Sequence, residues 1–418
     1  MKSNAETTWP TADMTRIPYA AYRDPELYKE EQYRIFRGPT WSYLALEAEL
    51  PNPGDFLTTS VGDTPVIVNR DRDGVLHAFV NRCAHRGSIV RREAFGNAKT
   101  HACCYHQWTY NLRGDLVGIP FKNGVKGRGG MPDDFDMSKI CLQKLVVENY
   151  RGVIFGTLSD SFEPLEDYLD KPITDHLDRL MHKPIKILGY QRQYIHGNWK
   201  LYTDNLRDPN HGGLLHMFQI RFGIARLSNW GGARLDKKGR HNISFTAEGT
   251  DDSGETKDYD ATSRGGGRLA LKDTSMLKYL PEYPDRMTLS IMSIFPNVVF
   301  QQIGNSLATR QIRTRSENEF ELYWTYYGYA DDDEKMTRHR LKQANLAGPG
   351  GYISMEDGEA IELVHKAIVR DRDSHSIVEI GGRGEPQDQD TLVTEVPLRG
   401  FWRYYCEVMG IEPDRGQV

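Results

Sequence analysis

The chain has 418 residues, of which 39% are apolar and 27% are charged, and its formal net charge is -5 at pH 7. A chain of this length has room for two or three domains with large cores, and its composition is that of an ordinary globular protein. The small negative charge provides no basic surface for a phosphate backbone, so we expect no nucleic-acid partner.

The sequence also contains no sign of a membrane segment. No apolar run approaches the roughly 20 residues that a helix needs to cross a bilayer. Residues 1–8 are polar and lack the apolar stretch of a secretory signal. We therefore expect a cytoplasmic protein without a membrane partner.

Within residues 1–160, the pattern of polar and apolar residues changes once, near residue 40. The first 40 residues are polar, and the stretch 25–37 predicts a helix that docks on a larger body. Short apolar or alternating runs separated by Gly, Pro and Asp follow, which predicts a small antiparallel β domain. The glycine-rich stretch 118–135 predicts a loop. The predicted strand segments are 41–46, 56–61, 65–68, 76–80, 144–148 and 152–158.

Longer helices and strands follow residue 160. Residues 199–218 are expected to be largely helical, and residues 228–270 to form a hairpin and a mobile loop. Together these patterns predict an α+β protein with a β-rich module inserted near the N-terminus of a larger domain that contains antiparallel strands and helices. The remaining predicted strands are 287–295, 298–303 and 320–329, and the remaining predicted helices are 333–347, 356–369 and 396–409.

The most specific pattern lies in residues 81–108. Cys83 and His85 are separated by one residue, and after 17 intervening residues Cys103 and His106 are separated by two. Two thiolates and two imidazoles in this order are what a Rieske [2Fe–2S] centre requires, with cysteines on one iron and histidines on the other. We therefore predict an electron-transfer cluster.

A four-ligand zinc site is the alternative, because zinc accepts the same donors. Both Cys/His pairs follow apolar runs and lie in short polar turns, and Trp108 could cover a cluster between them. These neighbours favour the Rieske interpretation. Cys104 competes with Cys103, and the two-residue gap to His106 favours Cys103.

A second group of histidines follows at His211 and His216. Five helical steps of 100° leave two side chains about 140° apart on an ideal helix. Pro209 and the glycine pair 212–213 could loosen the turn enough for both imidazoles to reach one metal. An ordinary role in the core is the alternative.

A carboxylate would complete a 2-His-1-carboxylate triad, the arrangement that leaves positions open for O2 on non-haem Fe(II). Asp357, at the start of a predicted helix, is the preferred residue. Glu356 competes with it. Ser354 and Asp357 also have the spacing of a helix capping box, in which Asp357 would bind only backbone N–H groups.

Taken together, the two groups resemble the α subunit of Rieske non-haem iron aromatic-ring-hydroxylating oxygenases, over nearly the whole chain. The first motif is highly specific, and the second occurs in the same order at a matching distance downstream. The resemblance implies an N-terminal helical segment (1–40) that packs on the catalytic domain, a Rieske [2Fe–2S] domain (41–160) and a catalytic mononuclear iron domain (161–418).

Site roles also follow from the resemblance. It implies that His211, His216 and Asp357 bind the mononuclear iron and that Asn205 lies near it. It further implies that Asp208 bridges a Rieske histidine, His106, of one subunit and an iron histidine of the next. The family's usual Tyr before the first iron histidine is Asn210 here, which changes the pocket wall and removes no ligand.

Within the family, the stretches 35–42, 46–56, 342–349 and 351–357 resemble the aromatic-acid branch, which includes anthranilate and terephthalate dioxygenases and salicylate hydroxylases. An aromatic carboxylate is best held by the bidentate fork of an arginine. Arg310, at the end of an apolar strand, and Arg399 are the expected partners, although either could be structural.

The expected function is that of a terminal oxygenase that hydroxylates or dihydroxylates an aromatic acid. Its expected co-substrate is O2, and its electrons come from NAD(P)H through a reductase and, in some systems, a ferredoxin. The resemblance also implies a small β subunit in an α3β3 assembly. The alternatives are a Rieske monooxygenase or demethylase with another substrate, a pure Rieske electron carrier and a zinc-stabilised binding protein.

Overall fold

A computed structural model describes residues 9–222, 230–247, 269–371 and 373–414. The chain forms two compact units, residues 36–163 and residues 1–35 together with 164–418. The sequence patterns placed these limits a few residues away, at 40/41 and 160/161. The mobile loop expected within 228–270 lies largely outside the described residues.

The larger unit begins with strand β1 (Arg16–Pro18) and helix α1 (Pro25–Glu31). Asp24 caps this helix, because its carboxylate accepts the N–H groups of Glu26 and Leu27, and Pro25 occupies the first helical position. The helix is shorter than the predicted segment 25–37, since a π-helical turn (Gln32–Phe36) follows it.

The unit of residues 36–163 is built from strands and loops. Its three small antiparallel sheets have the orders β5-β4-β3-β6, β7-β8-β9 and β10-β11-β2. Short runs separated by Gly, Pro and Asp favour this architecture, because each apolar run covers one face of a small sheet. The strands are β2 (Ser42–Leu46), β3 (Asp55–Val61), β4 (Thr64–Arg70), β5 (Leu76–Val80), β6 (Phe95–Asn97), β7 (His101–Ala102), β8 (Thr109–Tyr110), β9 (Leu116–Gly118), β10 (Val146–Tyr150) and β11 (Val153–Thr157).

One core cluster of this unit includes the two motif cysteines. Cys83 and Cys103 pack with Phe79, Trp108 and Tyr110. The predicted loop 118–135 contains no helix and only the last residue of β9, Gly118. Its side chains Ile119, Met131 and Phe135 pack against the same cluster.

The remainder of the larger unit mixes helices and strands. The antiparallel sheet with helices that the sequence predicted is confirmed. Among the residues that the structure describes, no helix is long and apolar enough to cross a membrane. The elements are α2 (Leu165–Leu169), α3 (Lys171–Leu180), β12 (Ile185–Ile195), α4 (Trp199–Arg207), α5 (Pro209–Leu215), α6 (Met217–Phe222), β13 (Gly231–Leu235), β14 (Asn242–Ala247), β15 (Met287–Ile294), β16 (Val298–Ile303), β17 (Ser306–Ser316), β18 (Glu319–Tyr329), α7 (Glu334–Ala347), α8 (Tyr352–Ile368), β19 (His375–Ile377) and α9 (Val396–Met409).

Seven strands form the main sheet, in the order β12-β18-β17-β16-β15-β14-β13, and every neighbouring pair is antiparallel. Residues directly opposite each other on such strands share a face. Thr246 pairs with Leu289, and Leu289 pairs with Ile303, so their side chains form one row across three strands. This row forms part of the floor of the cavity described below.

The predicted strand leading to Arg310 is wrong in one respect. Strand β16 ends at Ile303, a turn contains Gly304 with φ 56°, and Arg310 lies in the middle of β17. The positive φ favours glycine, which has no Cβ to clash there. Because β16 and β17 are consecutive antiparallel strands, Arg310 lies opposite Val299.

A buried ion pair joins α1 to α4 within the larger unit. Lys200 Nζ lies 2.5 Å from Glu31 Oε1, and both side chains are buried. The Glu31 carboxylate also accepts the Trp199 indole N–H at 2.8 Å and the Tyr405 hydroxyl at 2.6 Å. Burial lowers the pKa of Lys200, while Glu31 opposes that shift.

We expect Lys200→Met to lower the free energy of unfolding by about 3–5 kcal/mol, because it leaves the Glu31 carboxylate buried without a cation. The double variant Glu31→Gln/Lys200→Met should lose less of the free energy of unfolding than Lys200→Met, since a buried neutral amide needs no counter-charge. Chemical denaturation measures both.

The exposed pair Lys171–Asp175 provides the control. Lys171→Met there should cost at most about 1 kcal/mol. If Lys200→Met lowers the free energy of unfolding no more than Lys171→Met does, the buried pair does not stabilise the contact between α1 and α4.

Candidate active site

The two Cys/His loops have the same backbone hydrogen-bonding pattern. In each loop the cysteine N–H donates to the carbonyl five residues later, and the cysteine carbonyl accepts the N–H four residues later. That fourth residue has a positive φ in both loops, 73° at Gly87 and 55° at Gln107. The sequence therefore builds two matching turns around Cys83 and Cys103, although the histidine follows by two positions in one and three in the other.

The four donor residues differ in burial. Cys83 and Cys103 are buried, His106 is half-buried and His85 is exposed. The centroids of the two imidazole rings lie 4.6 Å apart. Trp108 stacks on His85 with an interplanar angle of 5° and a centroid distance of 4.7 Å. The two thiols thus face the core, and the two imidazoles lie together at the surface of this unit.

Polar groups surround the two sulfurs. The Tyr110 hydroxyl lies 3.2 Å from Cys83 Sγ and accepts the Ala84 N–H at 3.0 Å, so its own hydrogen can be donated to the sulfur. Burial raises the pKa of the Cys103 thiol, but hydrogen bonds with the backbone N–H groups of Tyr105 and His106 and with the side chains of Cys83 and Ser88 together outweigh burial, so the net shift is downward. Both features favour a thiolate, the form that binds iron.

The arrangement does not fit a single zinc ion. Zinc ligands at 2.0–2.3 Å from one metal lie within roughly 4 Å of one another. Among the residues that the structure describes, only one group of three or more His, Cys, Asp and Glu donors lies within 4.8 Å, and the Cys/His loops do not form it. Separate cysteine and histidine pairs fit the two irons of a [2Fe–2S] cluster.

That one group consists of His211, His216 and Asp357. His211 Nε2 and His216 Nε2 each lie 3.4 Å from Asp357 Oδ1. The imidazole centroids are 5.3 Å apart and the ring planes are inclined by 76°. Two nitrogens and one carboxylate oxygen facing one point are the donor set of a non-haem Fe(II) site with open positions.

Two interruptions of the helical chain bring the histidines together. Helix α4 ends at Arg207, and Asp208 caps α5 by accepting the N–H groups of Asn210 and His211 at 2.9 and 3.2 Å. Helix α5 ends at Leu215, so His216 has left the helix, with ψ 86°. The glycine pair 212–213, expected to loosen the turn, lies inside α5. The break occurs at His216 instead.

Asp357 lies well inside α8 rather than at its start. The helix begins at Tyr352, and its N-cap residue Gly351 contributes no side-chain hydrogen bond. The capping-box alternative for Ser354 and Asp357 is therefore wrong. Asp357 faces α4 and α5, where Asn205 Nδ2 donates to its Oδ1 at 3.1 Å.

The charges in this group favour a bound cation. Although burial raises the pKa of Asp357, the imidazole of His216 and then that of His211 lower it to about 2. Burial lowers the pKa of His211, but Asp357 and Asp208 raise it more. Asp357 is thus an anion that faces two imidazoles and the Asn205 amide.

The outer nitrogen of each imidazole has its own hydrogen-bond acceptor. His211 Nδ1 donates to the main-chain carbonyl of Asp208. His216 Nδ1 lies 3.0 Å from Glu356 Oε2. Both imidazoles therefore present Nε2 to Asp357. Glu356, which competed for the ligand role, contacts a histidine on its far side.

A cavity of about 90 Å³ opens beside this group. A cavity needs on the order of 10–15 Å³ to hold one water, so this one can hold a molecule of several non-hydrogen atoms. Its lining is mainly apolar, and Arg310 and Thr246 contribute polar groups. The apolar side chains of the lining are Leu206, Pro209, Phe245, Leu289, Ile291, Ile303, Ile353 and Leu392.

The two arginines expected to bind a carboxylate lie in different environments. Arg310 lines the cavity and lies over the Trp324 ring at 4.4 Å. Its terminal nitrogens donate to the Tyr202 hydroxyl and to the Gln301 side chain, while its buried Nε has no partner. Arg399 does not line the cavity and donates to the Val378 carbonyl at 3.3 Å.

Sequence reasoning missed several groups around the two sites. Tyr110, Tyr202, Gln301 and Thr246 were not singled out. The alternation of side chains along β16 could have placed Gln301 on the inward face of the sheet. A buried glutamine needs a hydrogen-bond partner, which would have indicated a polar group nearby. No sequence pattern indicates that the Tyr110 hydroxyl reaches a sulfur, because that contact depends on how two loops pack.

Tyr110→Phe should lower the reduction potential of the cluster by roughly 40 mV, because it removes one hydrogen bond of about 1 kcal/mol to the Cys83 sulfur, the candidate ligand atom. Protein-film voltammetry of the purified protein measures the shift. Tyr105→Phe provides the control, since the exposed Tyr105 hydroxyl lies 3.5 Å from Arg86 and contacts no sulfur. Equal potentials for Tyr110→Phe and the native protein would contradict the assigned bond.

Two family profiles match the chain. One, described as a Rieske [2Fe-2S] domain, matches residues 40–128. The other, described as the ring hydroxylating alpha subunit (catalytic domain), matches residues 174–410. The first range contains both Cys/His loops, and the second contains the His211, His216 and Asp357 group.

Three characterised relatives are similar over nearly the full length. The chain is 47% identical to the anthranilate 1,2-dioxygenase large subunit of Burkholderia cepacia, with 97% of this chain and 96% of the relative covered. It is 42% identical to the terephthalate 1,2-dioxygenase subunit alpha 2 of Comamonas sp, with coverage of 97% and 98%. It is 40% identical to the salicylate 5-hydroxylase large oxygenase component of Ralstonia sp, with coverage of 96% and 96%.

A solved structure supports the fold independently. Naphthalene 1,2-dioxygenase from Rhodococcus sp. superposes with a TM-score of 0.78 at 22% identity, over 94% of each chain. The profiles and relatives together cover both metal-ligand motifs. On these grounds the chain belongs to the α subunits of Rieske-type ring-hydroxylating oxygenases, which are oxidoreductases that combine a [2Fe–2S] cluster with a mononuclear iron and O2.

Proposed function

We propose that this α subunit hydroxylates the ring of an aromatic carboxylic acid. The observation that carries the proposal is that Arg310 lines the same cavity as the His211, His216 and Asp357 group, with a buried Nε that has no partner. An anionic ligand in this mainly apolar cavity would place a counter-charge beside the Arg310 guanidinium. The relatives named for anthranilate, terephthalate and salicylate agree with such a substrate.

The iron assignments follow from the donor sets. Cys83 and Cys103 would bind one iron of the cluster, and His85 and His106 the other. His211, His216 and Asp357 would bind the mononuclear iron, which supplies a binding and activation site for O2. Asn205 would hold the Asp357 carboxylate through its amide. The chain's own residues thus fix ligand geometry and contribute no nucleophile.

Arg310 would position the substrate. Its side chain is held by stacking over Trp324 and by bonds to Tyr202 and Gln301, so little rotational freedom is lost when a carboxylate binds. The apolar floor of Leu289, Ile291 and Ile303 would pack against the ring and exclude water. Arg399 is not part of this proposal, since its guanidinium lies outside the cavity.

Asp208 would link neighbouring chains. Its Oδ1 caps α5, so the second carboxylate oxygen is the one that can accept a further N–H. In the proposed assembly that donor is His106 of a second copy of this chain. Burial raises the pKa of Asp208, and an imidazole N–H from a second copy would oppose that shift by stabilising the carboxylate.

The partners of the assembly belong to this proposal as well. A small β subunit in an α3β3 complex and an NAD(P)H-dependent reductase, with or without a ferredoxin, would complete the system. A pure electron carrier would need no second metal group, whereas three donors converge within 4.8 Å here. Monohydroxylation and dihydroxylation remain alternatives within the same site chemistry.

The experiment is turnover of anthranilate, salicylate, terephthalate and unsubstituted benzoate with a generic reductase under ¹⁸O2. We expect near three irons per chain and ¹⁸O in a ring-hydroxylated product. Two irons per chain and no product would favour the electron carrier. Product from a non-acidic substrate alone would favour a monooxygenase or demethylase of another class.

The role of Arg310 is tested within the same panel. Arg310→Gln should raise the KM for the acid that turns over by about 10- to 100-fold, since hydrogen bonds to a charged group contribute about 1.5–3 kcal/mol. Arg399→Gln is the matched control and should leave KM unchanged if the variant folds. Equal effects of the two substitutions would argue against carboxylate binding at Arg310.

Asp208→Asn should retain all three irons but lose most turnover, because asparagine still caps α5 and carries no negative charge toward the second copy. Metal analysis and the visible spectrum of the cluster establish that the protein is loaded. Rapid reduction of the cluster without product would support a linking role. Native product formation by this variant would rule that role out.

A further inference from the structure

Helix α8 contacts the His216 imidazole through two consecutive carboxylates. Asp357 Oδ1 lies 3.4 Å from Nε2, and Glu356 Oε2 lies 3.0 Å from Nδ1. Consecutive helical residues point about 100° apart, so two adjacent side chains can reach opposite edges of one ring. We propose that Glu356 is a positioning residue, which fixes the tautomer and orientation of His216 and strengthens its bond to the mononuclear iron.

The two iron histidines differ in what holds their outer nitrogens. His211 donates to a neutral main-chain carbonyl, that of Asp208, whereas His216 donates to a carboxylate. Hydrogen bonds to a charged acceptor are about twice as strong as neutral ones. A carboxylate on the outer nitrogen also raises the basicity of the inner one, and loss of such a partner typically costs 10- to 100-fold in metal affinity.

The surroundings of Glu356 favour a real interaction rather than a screened surface contact. The side chain of Glu356 is 19% exposed and that of His216 is 5% exposed. Ion pairs at exposed sites contribute little because water and salt screen them, while partly buried pairs are screened much less. His216 has also left helix α5, so its own backbone restrains the ring less than a helical turn would.

The consequence is an asymmetric iron site. On one side, α8 contacts His216 through Glu356 and also carries Asp357, so one helix carries or contacts two of the three proposed ligands. On the other side, the backbone N–H and the Nδ1 of His211 both donate to Asp208, the residue proposed to face a second copy of the chain, while its Nε2 lies 3.4 Å from Asp357 Oδ1.

This inference rests on the iron site of the proposed function, and iron release tests it. The holoprotein is mixed with an excess of a ferrous chelator, and the loss of the mononuclear iron is followed with time. Glu356→Gln keeps an acceptor oxygen but loses the charge, and Glu356→Leu loses both. We expect release to accelerate by about 10- to 100-fold, more for the leucine variant than for the glutamine variant.

Glu359→Gln is the matched control, because Glu359 is exposed on the same helix. It should release iron at the native rate. The absorption spectrum of the cluster in the other unit reports whether each variant is folded and loaded. The EPR spectrum of the nitric oxide complex of the mononuclear iron reports the ligand field. We expect it to shift in the Glu356 variants and not in Glu359→Gln, because a purely structural role for Glu356 would leave the ligand field unchanged.

Native release rates and a native EPR spectrum in both Glu356 variants would overturn the inference while leaving the proposed function intact. A native protein that contains only the two cluster irons would instead overturn the iron assignment, and this inference with it. Release that accelerates equally in Glu359→Gln would indicate a general weakening of α8 and would also reject a specific role for Glu356.

Discussion

The convergence of three side chains on one carboxylate oxygen is the interaction on which the catalytic unit depends. Asp357 Oδ1 faces the Nε2 atoms of His211 and His216 and the amide of Asn205. A buried carboxylate that stays ionised needs such donors, since burial alone raises its pKa. A cation at this point would bind the carboxylate oxygen and both imidazole nitrogens, while the Asn205 amide keeps its hydrogen bond to the carboxylate, and the surrounding elements keep these groups in place.

Those elements restrain the histidines by interrupting regular structure. A continuous helix through the segment would direct the two imidazoles to different sides. Asp208 ends one helix and caps the next, and His216 lies where that second helix has ended. The histidines therefore meet because the chain changes direction between them, and Asp208, between the two helices, caps α5 with its carboxylate and accepts a hydrogen bond from His211 Nδ1 with its carbonyl.

The seven-stranded sheet supplies the other side of the cavity. Its inward face presents an arginine on β17 and apolar residues on β15 and β16, so a charged end and a flat apolar floor lie in one cavity. Such a combination complements an aromatic acid. The buried pair of Glu31 and Lys200 joins the first helix to α4, which carries Asn205, so the N-terminal segment contributes to the same framework.

The sequence by itself determined the two-motif organisation, the α+β class and most strand and helix segments, because ligand spacing and periodicity are local properties. It left open whether Asp357 was a ligand candidate or a helix cap, and it did not distinguish Arg310 from Arg399. Only the tertiary structure decided these points. Glu356 and His216 are 140 positions apart, and no local pattern specifies which ring nitrogen a distant carboxylate will reach.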